Sequence, residues 1–283
     1  KMKPIIKWEG GKHGNLEHIR KLLPESYNRY YEPFLGGGAV LLDLNPKEAY
    51  VNDINSELIN MYIQVREDVE SVIWHLRIFD HDHDICEDKK AYYYMMRAVF
   101  NKYRGEKSTM QAARFIYLNK HCFNGLYRVN SKGEFNVPWG KALNPTICDE
   151  NNLRLVAKKL QNVKIFCCPY NHMLKYIDEH TFVFMDPPYR PLNASSNFNA
   201  YSNNSFDDQE QIKLAEFAKK IDKLGGKFMV CNSDPHNVDV TDNFFDDLYQ
   251  GFDVYRIPAT RMINSKASAR GSINELLITN IKP

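Results

Sequence analysis

One gap constrains the fold of this chain more than any other feature. Two predicted strands in its first part and five in its last are separated by about 110 residues that read mainly as helix. Short apolar runs at residues 30–34, 49–53, 163–167, 181–186, 227–232, 254–257 and 275–280 mark the strands, and helical periodicity between them predicts parallel pairing through crossover helices. A plain crossover needs only about a dozen residues. Residues 54–162, with predicted helices at 56–65, 91–100 and 110–119, are therefore expected to form a helical subdomain inserted into an α/β core made of residues 1–53 and 163–283. Polar stretches at 190–205 and 259–271 are the expected loops.

Composition sets outer limits. Charged residues make up 25% of the 283 and no apolar run approaches the roughly 18 residues of a membrane helix, so no membrane span is expected. The basic start, residues 1–12, has no apolar stretch behind it, and the expectation is a cytoplasmic protein without a secretory signal. Six cysteines (Cys86, Cys122, Cys148, Cys167, Cys168 and Cys231) contain no C-x-x-C pair, and Cys167 and Cys168 are expected side by side at a strand, which suits neither a disulfide ladder nor zinc. Reduced, structural thiols are the expectation. Asp80-His81-Asp82-His83-Asp84 has metal-ligand residue types, but alternation in a predicted loop would point them apart, and no metal is expected.

The net charge of +2 is uninformative, whereas its distribution is not. From Arg97 to Lys141 nine basic residues face only Glu106 and Glu134, a local charge of +7. Tyr103, Phe115, Tyr117, Phe123, Tyr127 and Trp139 lie among them, the mixture that a polyanion with stackable bases selects. A second basic run, Arg256, Arg261, Lys266 and Arg270, contains no acid. Tyr92, Tyr93 and Tyr94 are expected to be helix packing.

Three motifs carry chemistry. Glu32-Pro33-Phe34-Leu35-Gly36-Gly37-Gly38 stands where a strand gives way to a helix, and its glycines permit a tight turn close to a ligand. It lacks both the spacing of a dinucleotide fingerprint and the lysine of a P-loop. Asp53 ends the next predicted strand, where a carboxylate can accept from both hydroxyls of a ribose; a helix cap, supplied by Asp53 or by Asn55, is the plainer role. Together they imply a ribose-bearing ligand without a required pyrophosphate, which S-adenosylmethionine satisfies. The third motif, Asp186-Pro187-Pro188-Tyr189, follows the apolar run Phe182-Val183-Phe184-Met185. Its prolines fix an extended backbone, so the Asp186 carboxylate and the Pro187 carbonyl can accept the two hydrogens of an exocyclic amine while Tyr189 offers a ring face. Fixed acceptors of this kind stabilise the positive charge that grows on a weakly nucleophilic amine as a methyl group arrives.

Taken in order, these motifs resemble the Dam-type DNA adenine N6-methyltransferases over nearly the whole chain. Lys7-Trp8-Glu9-Gly10-Gly11-Lys12 resembles the family's N-terminal cofactor motif. Phe123-Asn124-Gly125-Leu126-Tyr127-Arg128 with Gly133-Glu134-Phe135-Asn136-Val137-Pro138 resembles its target-recognition segment, and Asn197-Phe198-Asn199-Ala200-Tyr201 its loop after the catalytic motif. The resemblance implies a Rossmann-like S-adenosylmethionine-dependent methyltransferase core with an inserted helical target-recognition subdomain. It implies Asp186, Pro187 and Tyr189 as catalytic residues, and cofactor contacts from Trp8, Gly11, Lys12, Phe34, Gly36, Gly38, Asp53, Tyr170 and Asp186. Double-stranded DNA, read at GATC, would be met by Lys7, Phe123, Asn124, Leu126, Arg128, Pro138 and Lys141. Phe123 replaces the tyrosine of many relatives and offers a ring without a hydroxyl; Cys168-Pro169-Tyr170 departs from the Gly-Asp-Phe of some members.

Two rival readings remain at the level of sequence. Another planar amine, in cytosine N4, RNA adenine or a glutamine side chain, could use the same pocket, but the basic aromatic stretch favours duplex DNA. A DNA-binding relative without catalysis would have no need of an intact Trp8, Lys12, Asp53 and Asp186. No obligate protein partner is evident.

Overall fold

The computed structural model describes residues 2–142, 145–192, 206–260 and 272–283. The resemblance at Asn197 to Tyr201, most of both expected loops, and Arg261, Lys266 and Arg270 lie outside the described residues. Among the described residues are the short helices α1 (Leu16–Lys21) and α2 (Ala39–Asp43) and seven strands, β1 (Arg29–Glu32), β2 (Glu48–Asn52), β3 (Val163–Phe166), β4 (Thr181–Met185), β5 (Lys227–Ser233), β6 (Asp253–Thr260) and β7 (Ser272–Thr279), each strand overlapping an expected run. They form one sheet in the order β3-β2-β1-β4-β5-β7-β6. This is the doubly wound order 3-2-1-4-5-6 with one strand added between the fifth and sixth. That strand corrects the expectation of a parallel sheet, because β7 runs antiparallel to both β5 and β6. Only residues 261–271 separate β6 from β7, too few for a helical crossover, so the chain returns beside its neighbour in the opposite sense.

The chain divides into two compact units. The first comprises Lys1–Gly11, Leu35–Asn45 and Ala49–Pro169, and so holds the whole helical region together with most of β2 and all of β3. Its helices start where the sequence provides caps. Asn55 accepts from the Leu58 N–H to open α3 (Ser56–Ile85), Asp88 from Ala91 to open α4 (Lys89–Lys102), Ser108 from Gln111 to open α5 (Thr109–His121), and Asp149 from Asn152 to open α6 (Glu150–Leu160). Helix α3 runs twenty residues past its expected end at 65, with a break at Asp68 (φ −150°, ψ 68°). Beyond the break Val72, Ile73, Leu76 and His83 are buried at helical spacing, which draws Asp80 to Asp84 into the helix and corrects the loop expected there. Cys167 and Cys168 likewise fall just past β3 rather than inside it.

Helix α5 is buried on nearly every side, polar residues included. Gln111 donates to the Phe100 carbonyl at 3.0 Å, and the Tyr117 hydroxyl meets His83 Nδ1 at 2.9 Å. The Tyr117 carbonyl lies 2.9 Å from His121 Nδ1. Tyr93 is fully buried, as helix packing requires.

The second unit comprises Lys12–Phe34, Pro46–Glu48 and Tyr170–Pro283. Here β4 pairs in parallel with β1 on one edge and β5 on the other, and all five of its residues are buried. A strand covered on both faces must be apolar throughout, which is why Thr181-Phe182-Val183-Phe184-Met185 shows no alternation. Phe182 and Phe184 each contribute roughly 2 to 3 kcal/mol by burial. Helix α7 (Asp208–Lys223), capped by Asp207, buries Leu214, Ala215, Phe217, Ala218 and Ile221. Among the described residues no helix is long and apolar enough to cross a membrane.

Burial lowers the pKa of His121 from its ordinary 6.5 to about 4. A base depressed in the folded state contributes stability that is complete above pH 6.5 and is lost as pH falls towards 4. Between pH 7 and pH 5 the loss should be about 1 to 2 kcal/mol. His121→Leu, which cannot titrate, should be less stable than wild type at pH 7, with the gap narrowing by that amount at pH 5. Urea midpoints at the two pH values test this; a constant gap would show that burial does not depress the His121 pKa.

Candidate active site

In a doubly wound sheet, ligands lie beyond the carboxyl ends of the strands where the order reverses, here at β1 and β4. The chain leaves β4 at Met185 directly into Asp186-Pro187-Pro188-Tyr189. Lys12, from the 3-10 turn Lys12–Gly14, places Nζ 3.0 Å from Asp186 Oδ1; the two side chains are 4% and 19% exposed. The same ammonium sits 4.7 Å from the centre of the Tyr189 ring. The Tyr189 hydroxyl donates to Glu275 Oε2 at 3.2 Å, and Asn15 Nδ2 donates to that oxygen at 2.6 Å.

Burial pulls the Lys12 pKa down, but the Asp186 and Glu275 carboxylates outweigh it and hold the ammonium above its usual range. Burial pushes Asp186 up, and Lys12 pulls it partly back. The first shift marks the pair as favourable, while the second marks its carboxylate as costly. At 3.0 Å, with a further carboxylate nearby, the ionised pair is the state that satisfies both groups, so Asp186 is an anion held by Lys12 at neutral pH. Burial raises the Tyr189 phenol and the Cys231 thiol, which keeps both protonated.

A buried amide chain fixes the backbone that follows. Gln211 Nε2 donates to the Pro188 carbonyl at 3.0 Å, and its oxygen accepts from Asn232 Nδ2 at 3.0 Å. Asn232 Oδ1 accepts from the Arg190 and Ser233 N–H groups at 3.0 and 2.9 Å. Gln211 and Asn232 are 1% and 0% exposed. Phe34 and Tyr170 are brought together, with ring centres 5.3 Å apart.

In the first unit the glycine turn, Trp8 and Asp53 form one cluster. Asp53 Oδ2 accepts from the Gly36 N–H at 3.0 Å and Oδ1 from the Asn55 N–H at 2.9 Å, and the Ile54 N–H also supports the carboxylate, which keeps acceptor capacity for a further donor. Burial raises its pKa against the pull of these N–H groups. The cap of α3 is Asn55, so Asp53 is not needed for that task. Gly36 and Gly38 have φ of 49° and 69°, and a Cβ on Gly36 would lie 2.7 Å from Trp8 Cδ1. Gly11 donates to the Trp8 carbonyl at 3.1 Å.

The basic aromatic stretch contains a short hairpin. Val129 bridges Phe135, Cys122 bridges Trp139, and Asn130 Oδ1 closes the turn by accepting from the Lys132 and Glu134 N–H groups. Phe123, 49% exposed, precedes Asn124 in the left-handed region at φ 55°, and the Phe123 N–H donates to the Pro138 carbonyl. Arg128 is exposed, and Asn136 orients it, with Nε at 2.8 Å from Oδ1. Its Nη2 also donates to the Asn136 carbonyl at 3.4 Å, so one residue holds the guanidinium through two of its nitrogens. Lys141 is exposed as well. Lys7 and Leu126 lie against this segment, Lys7 through its contact with Gly125.

A family model for the D12 class N6 adenine-specific DNA methyltransferases matches residues 8–263. The chain belongs to this family. It is 45% identical to the Type II methyltransferase M.MjaIII of Methanocaldococcus jannaschii, over 99% of both chains. It is 38% identical to the Type II methyltransferase M1.LlaDCHI of Lactococcus lactis subsp. cremoris, over 99% of this chain and 95% of that one. It is 33% identical to the DNA adenine methylase of Escherichia coli K12, over 98% and 95%.

As an adenine-specific DNA methyltransferase, the chain has the Rossmann-like α/β sheet expected of it. Four residues around its Asp-Pro-Pro-Tyr motif escaped sequence reasoning: Asn15, Gln211, Asn232 and Glu275. Gln211 left a trace, since it occupies an apolar position of α7 at helical spacing from Leu214, Ala215 and Ala218. Glu275 left none, because its role depends on β7 entering the sheet antiparallel.

Gly36→Ala should cost about 1 to 3 kcal/mol of stability, from a strained φ and the contact with the Trp8 indole. In a Trp8→Ala background only the φ strain remains and the cost should fall below about 1 kcal/mol. Denaturant midpoints of the four proteins measure the coupling; equal costs in both backgrounds would contradict this packing.

Proposed function

We propose that this methyltransferase moves a methyl group from S-adenosylmethionine to N6 of an adenine flipped out of duplex DNA, within GATC. The observation that carries the reading is the half-buried Asp186 carboxylate at the end of β4, paired with a buried Lys12 whose ammonium also lies over the Tyr189 ring. Asp186 and the Pro187 carbonyl would accept the two N6 hydrogens, and the Tyr189 ring would lie against the base. Lys12 spends one positive charge among two carboxylates, so the pocket keeps a net negative charge where the amine turns cationic. The donor supplies an electrophilic methyl group on a positively charged sulfur. Residues fit for its ribose and adenosine are present, with Asp53 keeping acceptor capacity for a hydroxyl and Phe34 and Tyr170 forming an aromatic pair. Trp8, Gly11, Lys12, Gly36 and Gly38 complete the proposed donor contacts.

The target atom lies inside the stack, so the base must leave it at a cost of a few kcal/mol. Phe123 at its exposed turn can occupy the space beside an unstacked base. Lys7, Asn124, Leu126, Arg128 and Pro138 would read and pack against the site, and Lys141 would hold phosphate. This assigns reading to the subdomain 54–162, joined by Lys7 from the core, and catalysis to the core of residues 1–53 and 163–283. The protein would act in the cytoplasm of a bacterial or phage-infected cell, with no obligate protein partner. The test is transfer of labelled methyl to duplexes with and without GATC, followed by hydrolysis. N6-methyladenine confined to GATC supports the proposal; product in cytosine or RNA, equal labelling of both duplexes, or no transfer would overturn it.

Asp186→Ala should leave the protein folded and slow single-turnover transfer on the order of 100-fold or more. A rate within a factor of two of wild type would remove Asp186 from the chemistry.

Arg128→Ala should cost about 1 to 3 kcal/mol on the cognate duplex and much less on altered ones. Removing Lys132 or Lys141 should instead weaken every duplex alike and lower the salt slope by about one unit each. Values of kcat/KM on GATC and on single-base-pair variants, with binding at several salt concentrations, separate the two. Equal slowing of all duplexes by Arg128→Ala would make it an anchor rather than a reader.

A further inference from the structure

The N-terminal segment and the recognition turn are fastened to each other by one buried side chain. Asn119, 5% exposed on α5, accepts from the Lys7 N–H at 2.9 Å and donates to the Lys7 carbonyl at 2.7 Å. It thereby pairs with Lys7 as a neighbouring strand would. Its Nδ2 also donates to the Gly125 carbonyl, at 3.1 Å. With Oδ1 and Nδ2 both engaged, the amide joins two segments that lie more than a hundred residues apart in sequence.

The contact is close on both sides of this clamp. Gly125 has φ 66°, and a Cβ there would lie 2.6 Å from Lys7 Cβ. One residue after Lys7, Trp8 stacks on Tyr127 with ring centres 5.8 Å apart and planes at 25°; it also packs on Phe115 at 6.4 Å. Tyr127 immediately precedes Arg128, and Trp8 rests on the Gly36 turn whose N–H holds Asp53. A continuous set of contacts therefore runs from the proposed ribose acceptor, through Trp8 and Lys7, to the proposed base readers.

We propose that Asn119 is a positioning residue that couples occupancy of the methyl-donor site to the reading of DNA. The inference rests on the proposal that Trp8 and Asp53 face the donor while Lys7 and Arg128 face DNA. Asn119 itself touches neither ligand. A donor that settles Trp8 against the glycine turn also settles Lys7, and the clamp passes this to Gly125 and the residues after it. DNA then meets a surface whose ordering cost has already been met. By linkage, DNA must tighten donor binding by the same factor.

The test is calorimetric titration of the full chain with S-adenosylhomocysteine, alone, with a saturating GATC duplex, and with a duplex of scrambled sequence. Wild type should bind it at least about 5-fold more tightly with the GATC duplex, and show less coupling with the scrambled one. Asn119→Ala should reduce that factor to below about 2 while changing the DNA-free dissociation constant less than about 3-fold. Gly125→Ala, which strains the same contact with Asn119 intact, should do the same. In turnover both variants should raise KM for DNA and erode discrimination against single-base-pair variants more than they lower kcat. A purely structural asparagine would lower stability and leave the coupling factor unchanged.

A measurement on wild type needs no variant to fold. Hydrogen exchange at the Lys7 and Leu126 amides should slow about tenfold or more when S-adenosylhomocysteine binds without DNA. Unchanged exchange, a wild-type coupling factor of one, or full coupling in both variants overturns the inference. Failure of wild type to bind S-adenosylhomocysteine or to methylate DNA would instead overturn the functional proposal beneath it.

Discussion

A carboxylate at the end of a fully buried strand is expensive, and the ion pair between Lys12 and Asp186 is what makes it possible here. Taking away one member of such a pair leaves the other charged and uncompensated, at a cost of about 3 to 5 kcal/mol. The surrounding groups are arranged to suit the pair. Tyr189 presents its ring to the ammonium and its hydroxyl to Glu275, and Asn15 fixes Glu275. Gln211 and Asn232 secure the backbone from Pro188 to Arg190. The acceptors are thus fixed by the fold rather than assembled around a substrate, the condition under which electrostatic stabilisation of a developing charge is most effective.

The first unit follows the same logic with different materials. Its glycine turn fits against an indole, so the absence of a Cβ at Gly36 serves the seat of Trp8 directly. The Asp53 carboxylate takes the backbone N–H groups of Gly36, Ile54 and Asn55 and keeps capacity for a further donor, which distinguishes it from Asn55, the helix cap next to it. Aromatic packing from Trp8 through Tyr127 to Phe135 continues into the hairpin that orients Arg128.

Much of this was legible in the sequence because it depends on local chemistry. The seven strands follow from apolar runs, and the exit from β4 is fixed by prolines that cannot donate to a ladder. The end of α3 was not legible, since a break at Asp68 resets the helical phase and only the buried face from Val72 to His83 reveals it. The direction of β7 was also hidden, because an apolar run does not state its sense; Glu275 was hidden with it. Asn119 reads locally as an ordinary polar residue near a helix end, and its partners Lys7 and Gly125 emerge only when α5 is folded.

The pH dependence of single-turnover methyl transfer tests the central electrostatic claim most directly. It should be measured on wild type and on Lys12→Met, with the methyl donor and duplex saturating. If Lys12 holds Asp186 as an anion, losing the ammonium raises the carboxyl pKa further. The acid limb of the profile should then move upward by about one pH unit or more. An acid limb at the same pH in both proteins would contradict the account.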